Sequence, residues 1–328
     1  MTIRLISLRS KQVSLLAILL AVALFTEQLH ASQGSGRLDA PENEVVLEEL
    51  DRERYRIFEE DLQRGIYAFY RAEWDTARTV FQTLQNRNSD DLRPHFFEAM
   101  LPFWKYFFAG EDSQDALDFL EKSEQAIQVG IRRIEAVPDD TTTLLMMGGL
   151  YGYRGLVAAS ERQFRTALQS GASGLNYTRL LMNMSAENPD ALIGQGMFHY
   201  MVGSIPREVR WLTSLFGLKG DRQTGIDLLE QASRKSSHTS TDASMMLVYI
   251  YKRDEQYDDA VRVSTQLVAS WPDNPIFKFY HANALELSGK TDESLVLYED
   301  IVRSAHHELP EMREMSLQRI KHIAEQNN

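Results

Sequence analysis

The chain has 328 residues, 43% of them hydrophobic, enough to bury a substantial core. Its 47 Asp and Glu outnumber 35 Lys and Arg, for a formal charge of −12, and no basic stripe runs along it, so nucleic acid is excluded as a partner class. There is no cysteine, which excludes disulfides, a thiol nucleophile, thiolate metal sites and lipid attachment of the lipoprotein type.

Arg4, Arg9 and Lys11 precede an apolar run from Val13 to Phe25, and Thr26 to Ser32 are polar or small in the main. That order predicts a secretory signal peptide over residues 1–31, with Ala31 the last residue removed. Spanning a bilayer takes about 20 apolar residues, more than this run supplies. An exported chain, periplasmic or secreted, is therefore expected, with an uncleaved membrane anchor as the alternative. Ser32 to Gly36 reads as linker, so a flexible linker over 32–43 leads into a helical repeat domain over 44–328.

From Glu44 onward the apolar residues recur at helical spacing, and the segments pair into hairpins. The first spans Asp51 to Arg71 and Trp74 to Asn86, with Gly65, Trp74, Ala77, Phe81 and Leu84 as packing residues. The second, His95 to Phe108 and Ser113 to Val137, is crowded with aromatics in its first helix, where Pro102 predicts a kink or early break. A helix apolar on all sides is a buried one, so packing is preferred there over a ligand-stacking surface. The third runs from Thr141 to Ser160 and Glu161 to Met184. It carries Gly148, Gly149, Gly152 and Gly155, each costing about 1 kcal/mol of helix propensity relative to Ala. Close helix contact is the expected compensation, and Gly171 to Gly174 is expected to interrupt the second helix. The fourth, Ala191 to Val202 and Thr224 to Ser233, is split by an insertion containing Pro206 and an amphipathic stretch from Arg207 to Leu218.

Two regular hairpins follow, Ser244 to Arg253 with Asp258 to Ser270, then Ile276 to Leu287 with Asp292 to Ser304, before a charged capping helix from Pro310 to Gln326. Tyr257, Ala260 and Leu267 are matched 34 residues later by Thr291, Ser294 and Ile301. A 34-residue helical period, punctuated by Pro272 and Pro275, resembles the tetratricopeptide repeat. The fold class predicted is all-α: a superhelical solenoid of about six such hairpins plus the capping helix.

The fourth unit is more distinctive. Gly194-Gln195-Gly196-Met197-Phe198-His199-Tyr200-Met201-Val202-Gly203-Ser204-Ile205-Pro206, leading through Trp211-Leu212 to Phe216-Gly217-Leu218-Lys219-Gly220-Asp221-Arg222, resembles the tetratricopeptide repeat protein 39 family, over roughly residues 140–305. That resemblance implies an all-helical repeat fold and an adaptor or membrane-associated role. It supplies no catalytic residue.

No zinc-protease, phosphate-loop, nucleophile-elbow or calcium-loop motif is present, so the chain is read as non-enzymatic, with no cofactor and no metal. His306 and His307 beside Glu308 and Glu311 read as a surface turn, and Asp221 as the cap of the following helix. His199, Tyr153 and Arg154 are the residues an enzyme reading would need. In a solenoid of this type the first helix of each hairpin lines the concave face. Leu62, Ile66, Phe69, Tyr70, Tyr249, Lys252, Arg253, Asn283 and Glu286 are accordingly the candidate partner-binding residues. Mixed aromatic and polar lining suits a peptide or protein partner. Arg207, Arg210, Trp211, Phe216 and Arg222 are candidate insertion contacts. They carry the alternative, a peripheral membrane- or lipid-associated adaptor using residues 204–222.

Overall fold

The computed structural model describes residues 42–110, 112–184, 191–204, 219–235, 239–304 and 307–326. Among them are thirteen α-helices and one π-helical segment, packed pairwise in chain order. The pairs are α1 (Glu42–Tyr70) with α2 (Trp74–Arg87), α3 (Leu92–Trp104) with α4 (Ser113–Ala136), and α5 (Thr141–Ser160) with α6 (Phe164–Met184). They continue with α7 (Ala191–Gly203) and α8 (Arg222–Arg234), α9 (Ser240–Arg253) and α10 (Tyr257–Ser270), then α11 (Pro275–Leu287) and α12 (Thr291–Ser304). Last comes α13 (Pro310–Gln326). The all-α repeat architecture and its 34-residue register, seen in the starts of α10 and α12, agree with the sequence.

One turn design recurs. The second residue after the first helix ends enters the left-handed region at Ala72, Arg162, Glu255 and Gly289, with φ between 58° and 84°. The next N–H then donates to a carbonyl five residues back: Glu73 to Ala68, Gln163 to Ala158, Gln256 to Tyr251 and Lys290 to Leu285. This closes the carbonyl end of the first helix and aims the second back along it. Helix starts are capped in the same spirit. The side chains of Asp91, Asp112, Asp140, Asp221 and Asn274 each accept a backbone N–H of the first turn.

Packing follows the small and large pattern of the first hairpin. Trp74, Ala77, Phe81 and Leu84 are all buried. A Cβ on Gly65 would lie 2.6 Å from Phe81.

Two expectations need correcting. Pro102 does not end its helix. α3 runs on to Trp104 and then widens into a π-helical segment over Lys105–Gly110. Proline cannot donate to the carbonyl four residues back, so one bond of α3 is missing, and the wider turns begin three residues further on, at Lys105. Nor do Gly171 and Gly174 interrupt α6, which is continuous. A Cβ on Gly174 would lie 3.1 Å from Gly152 N and 3.3 Å from Gly148 O, so the glycines let α5 and α6 touch backbone to backbone.

The π segment closes the superhelix. Trp104 meets Phe277 at 5.7 Å between ring centroids, Phe108 meets Tyr280 at 5.7 Å, Phe107 meets Tyr249 at 5.7 Å, and Phe103 meets Tyr153 at 4.5 Å. Asn274 Nδ2 donates to Tyr70 O at 2.8 Å, and Asp75 N–H donates to Glu308 Oε2 at 2.8 Å. The first hairpin thus seats on the last two, and one aromatic column runs through the interior.

Replacing Glu255 with Gly removes a left-handed side-chain residue from an exposed turn and should raise stability by about 0.5–1 kcal/mol. Gly289→Ala should lower it by about 1 kcal/mol. Urea unfolding of both variants measures the pair of opposite signs.

Candidate functional site

The glycines of α5 to α7 fall into two groups. Gly155 and Gly174 face backbone: a Cβ on Gly155 would lie 3.4 Å from Ala167 O and 3.5 Å from Gly171 N. Gly152 has nothing within 4 Å of such a Cβ, and at Gly149 and Gly194 the nearest atom is 3.6 Å away. These three have room for a side chain and leave it empty. The space they vacate belongs to a cavity of about 190 Å³ between α5, α6 and α7, lined almost wholly by apolar groups. Of the two hydroxyl-bearing residues in its lining, Tyr153 and Thr178, the latter donates to Gly174 O at 2.9 Å.

A second cavity of about 170 Å³ lies in the bore of the superhelix, between α1, α3, α5 and the starts of α7 and α9. Leu145, Gly149, Tyr153 and Ile193 line both, so the two cavities adjoin along the same stretch of α5 and the start of α7. Glu59, Gln63, Thr141 and Thr142 bring polar groups to the second cavity, and Arg93 is held there by Glu59 at 2.7 Å and Asp91 at 2.7 Å.

Asp242, in the first turn of α9, lines the same cavity. Its Oδ2 accepts the Tyr70 hydroxyl at 2.9 Å, and no Lys or Arg among the described residues pairs with it. The carboxylate is wrapped by protein yet keeps partial exposure towards the cavity. Burial pushes its pKa up to about 7, and the Tyr70 hydrogen bond only partly opposes that. The hydroxyls of Tyr70 and Tyr153 are both pushed well up, chiefly by burial and then by this carboxylate. On the far side of the bore, Lys252 Nζ lies 4.5 Å from the centre of the Tyr280 ring. Burial, with the Arg319 guanidinium adding to it, pushes the ammonium down to about 8 against the pull of Glu286.

The expected concave lining is therefore inward but largely occupied. Leu62 and Ile66 do line the central cavity. Phe69 and Tyr70 are buried in the core, Tyr249 is covered by Phe107 and Lys252 by Tyr280. Glu286 accepts from Tyr298 at 2.9 Å and from Arg319 Nε at 3.0 Å, and Asn283 lies beside the same tyrosine. Arg253 lies 5.0 Å over the Tyr200 ring. One cause accounts for this placement: the aromatic column takes much of the space along α9 and α11.

Of the insertion residues, Arg207, Arg210, Trp211 and Phe216 lie outside the described residues. Arg222 ion-pairs with Asp254 and sits over Tyr200, so its guanidinium is used internally. Asp221 caps α8, accepting from Thr224 N at 2.8 Å. Tyr153, Arg154 and His199 are not brought together. Arg154 reaches back to Ser123 Oγ at 2.9 Å and Glu124 at 3.0 Å, whereas His199 Nδ1 faces Asp221 N at 3.4 Å. Asp75, His307 and Glu308 present ligand-type atoms within 4.8 Å of one another, but Glu308 is already bonded to the Asp75 N–H. Sequence reading missed Asp242. A first-turn acid is an ordinary helix residue, and its partner Tyr70 is 172 positions away.

The model of the Iml2/Tetratricopeptide repeat protein 39 family matches residues 190–320. The match starts later than the sequence resemblance and extends into α13. Among solved structures, the chain is similar to TTC0263, a thermophilic TPR protein of Thermus thermophilus. The two are 14% identical with a TM-score of 0.43, and the likeness covers 70% of this chain and 98% of that one. No curated protein matches the chain.

Gly152→Ala adds a methyl where nothing is within 4 Å and should stabilise by about 1 kcal/mol, while Gly174→Ala should destabilise, both read by urea unfolding. The Asp242 carboxyl titrates near 7 when folded against 3.8 in its ordinary state, so the folded protein holds the extra proton between those values. Its contribution to stability accordingly declines as pH rises through that window. Asp242→Asn keeps an acceptor for Tyr70. It should raise stability by about 2–4 kcal/mol at pH 8 and leave it nearly unchanged at pH 4, measured as thermal unfolding at both.

Proposed function

We propose that the chain is a non-enzymatic, exported scaffold that binds a segment of a partner protein in the groove enclosed by α1, α3, α5, α7 and α9. The observation that carries this reading is the adjoining pair of cavities, about 170 and 190 Å³, the first of which adds polar side chains to its apolar lining. Apolar pockets with a few polar groups at the rim suit an inserted side chain flanked by peptide backbone. The other inward face, along α9 and α11, is filled by Phe107 and Phe108 and offers less. The repeat architecture and the family match over residues 190–320 support a binding role.

A photo-crosslinking residue at Gln63, on the groove, and another at Val296, exposed on α12, tests the reading in host cells. A discrete protein adduct from Gln63 alone, reduced at least fivefold by Gly149→Leu, is the expected result. Equal adducts from Val296, or indifference to Gly149→Leu, would overturn it. An adduct to lipid would instead favour the lipid-associated adaptor. Fractionation of the same cells tests export.

A further inference from the structure

Three features of the bore belong together. Asp242 is enclosed, has no cationic partner among the described residues, and keeps its open side towards the cavity. Phe96, Phe97 and Tyr153 line the same space, and aromatic faces attract cations. Leu62, Ile66 and Met146 supply apolar surface against which a methylene stem packs.

We propose that this cavity receives the side chain of a lysine on the partner segment, with its ammonium bonded to Asp242. This rests on the groove being a partner site.

The chemistry selects a cation. A carboxylate enclosed without a counter-charge is costly, and an ammonium at hydrogen-bond distance removes that cost. The cavity's other charges favour a cation too: Arg93 is shared between Asp91 and Glu59, each at 2.7 Å, Glu59 Oε1 has no hydrogen-bond donor, and Asp242 alone of the three acids has no cation beside it among the described residues. Size agrees, because about 170 Å³ exceeds the ~150 Å³ engineered cavity that admits benzene, a body comparable to a butylammonium group. The chain's formal charge of −12 draws basic partners towards it. Lysine suits the single anchor better than arginine, whose planar fork favours bidentate pairing, whereas Asp242 Oδ2 is already engaged by Tyr70.

The test uses the full chain and three probes: Nα-acetyl-lysine N-methylamide, its Nε-acetylated form, and 1,5-diaminopentane, with binding followed by ligand-detected NMR at pH 7.5. The free-amine lysine probe should bind at least tenfold more tightly than the Nε-acetylated one, and Asp242→Asn should abolish that difference while the variant unfolds no earlier than the parent. Equal binding of the two lysine probes, or a difference that survives Asp242→Asn, overturns the proposal. Tighter binding of the diamine than of the lysine probe also overturns it, by making the occupant a free small amine. Groove crosslinks from Gln63 that persist with no lysine preference would sink the charge assignment alone. A lysine preference without any groove crosslink would sink the scaffold reading instead.

Discussion

A curled stack of hairpins must either fill its axis or leave the inner sides of its first helices wet, and this chain fills the axis from within. Phe103, Trp104, Phe107 and Phe108 reach α5, α9 and α11 from a single stretch of backbone. Each such aromatic buries on the order of 150–250 Å², at about 25 cal/mol per Å² removed from water. The π-helical widening after Pro102 belongs to this arrangement, because it lies in the stretch that presents Tyr106 to Phe108 to the interior.

What the column does not fill becomes the groove. The array has two kinds of interior: a dry, aromatic half between α3, α9 and α11, and an open half between α1, α3, α5 and α7. The open half exists because Gly149, Gly152 and Gly194 withhold side chains where there is room for them. The apolar walls of this space of about 190 Å³ are left uncovered by protein, and apolar surface left to water forgoes about 25 cal/mol per Å². Three glycines in helices add about 1 kcal/mol each. The protein therefore carries a local deficit at the place best shaped to receive something.

Electrostatics sharpen that contrast. Most acids of the interior are matched: Glu98 takes Lys122 at 2.7 Å together with the amides of Gln82 and Gln85, and those bonds hold its carboxyl below the usual range despite burial. Among the described residues, Asp242 is met by a phenol and no cation, and Lys252 lies over a ring face with Glu286 pulling on it and Arg319 opposing. Two enclosed charges of opposite sign thus stand on α9 without pairing each other, one facing the open groove and one the aromatic half.

The sequence by itself determined the helices, their pairing and the 34-residue register, since each follows from local periodicity, capping residues and turn geometry within a few positions. It also located the glycine-rich unit, and it placed Leu62 and Ile66 on an inward face. It could not tell glycines that admit a neighbouring backbone from those that leave a void, because both read as one small-residue run. It could not see that Phe69 and Tyr70 are buried and Tyr249 partly covered, or that Asp242 has no cation beside it among the described residues. Those facts depend on the curvature of the whole array, which brings Tyr70 to Asp242 and Trp104 to Phe277 across more than 170 residues of chain. Only tertiary closure decides which inward residues become core and which remain a surface, because the same aromatic column that stabilises the superhelix occupies most of its bore.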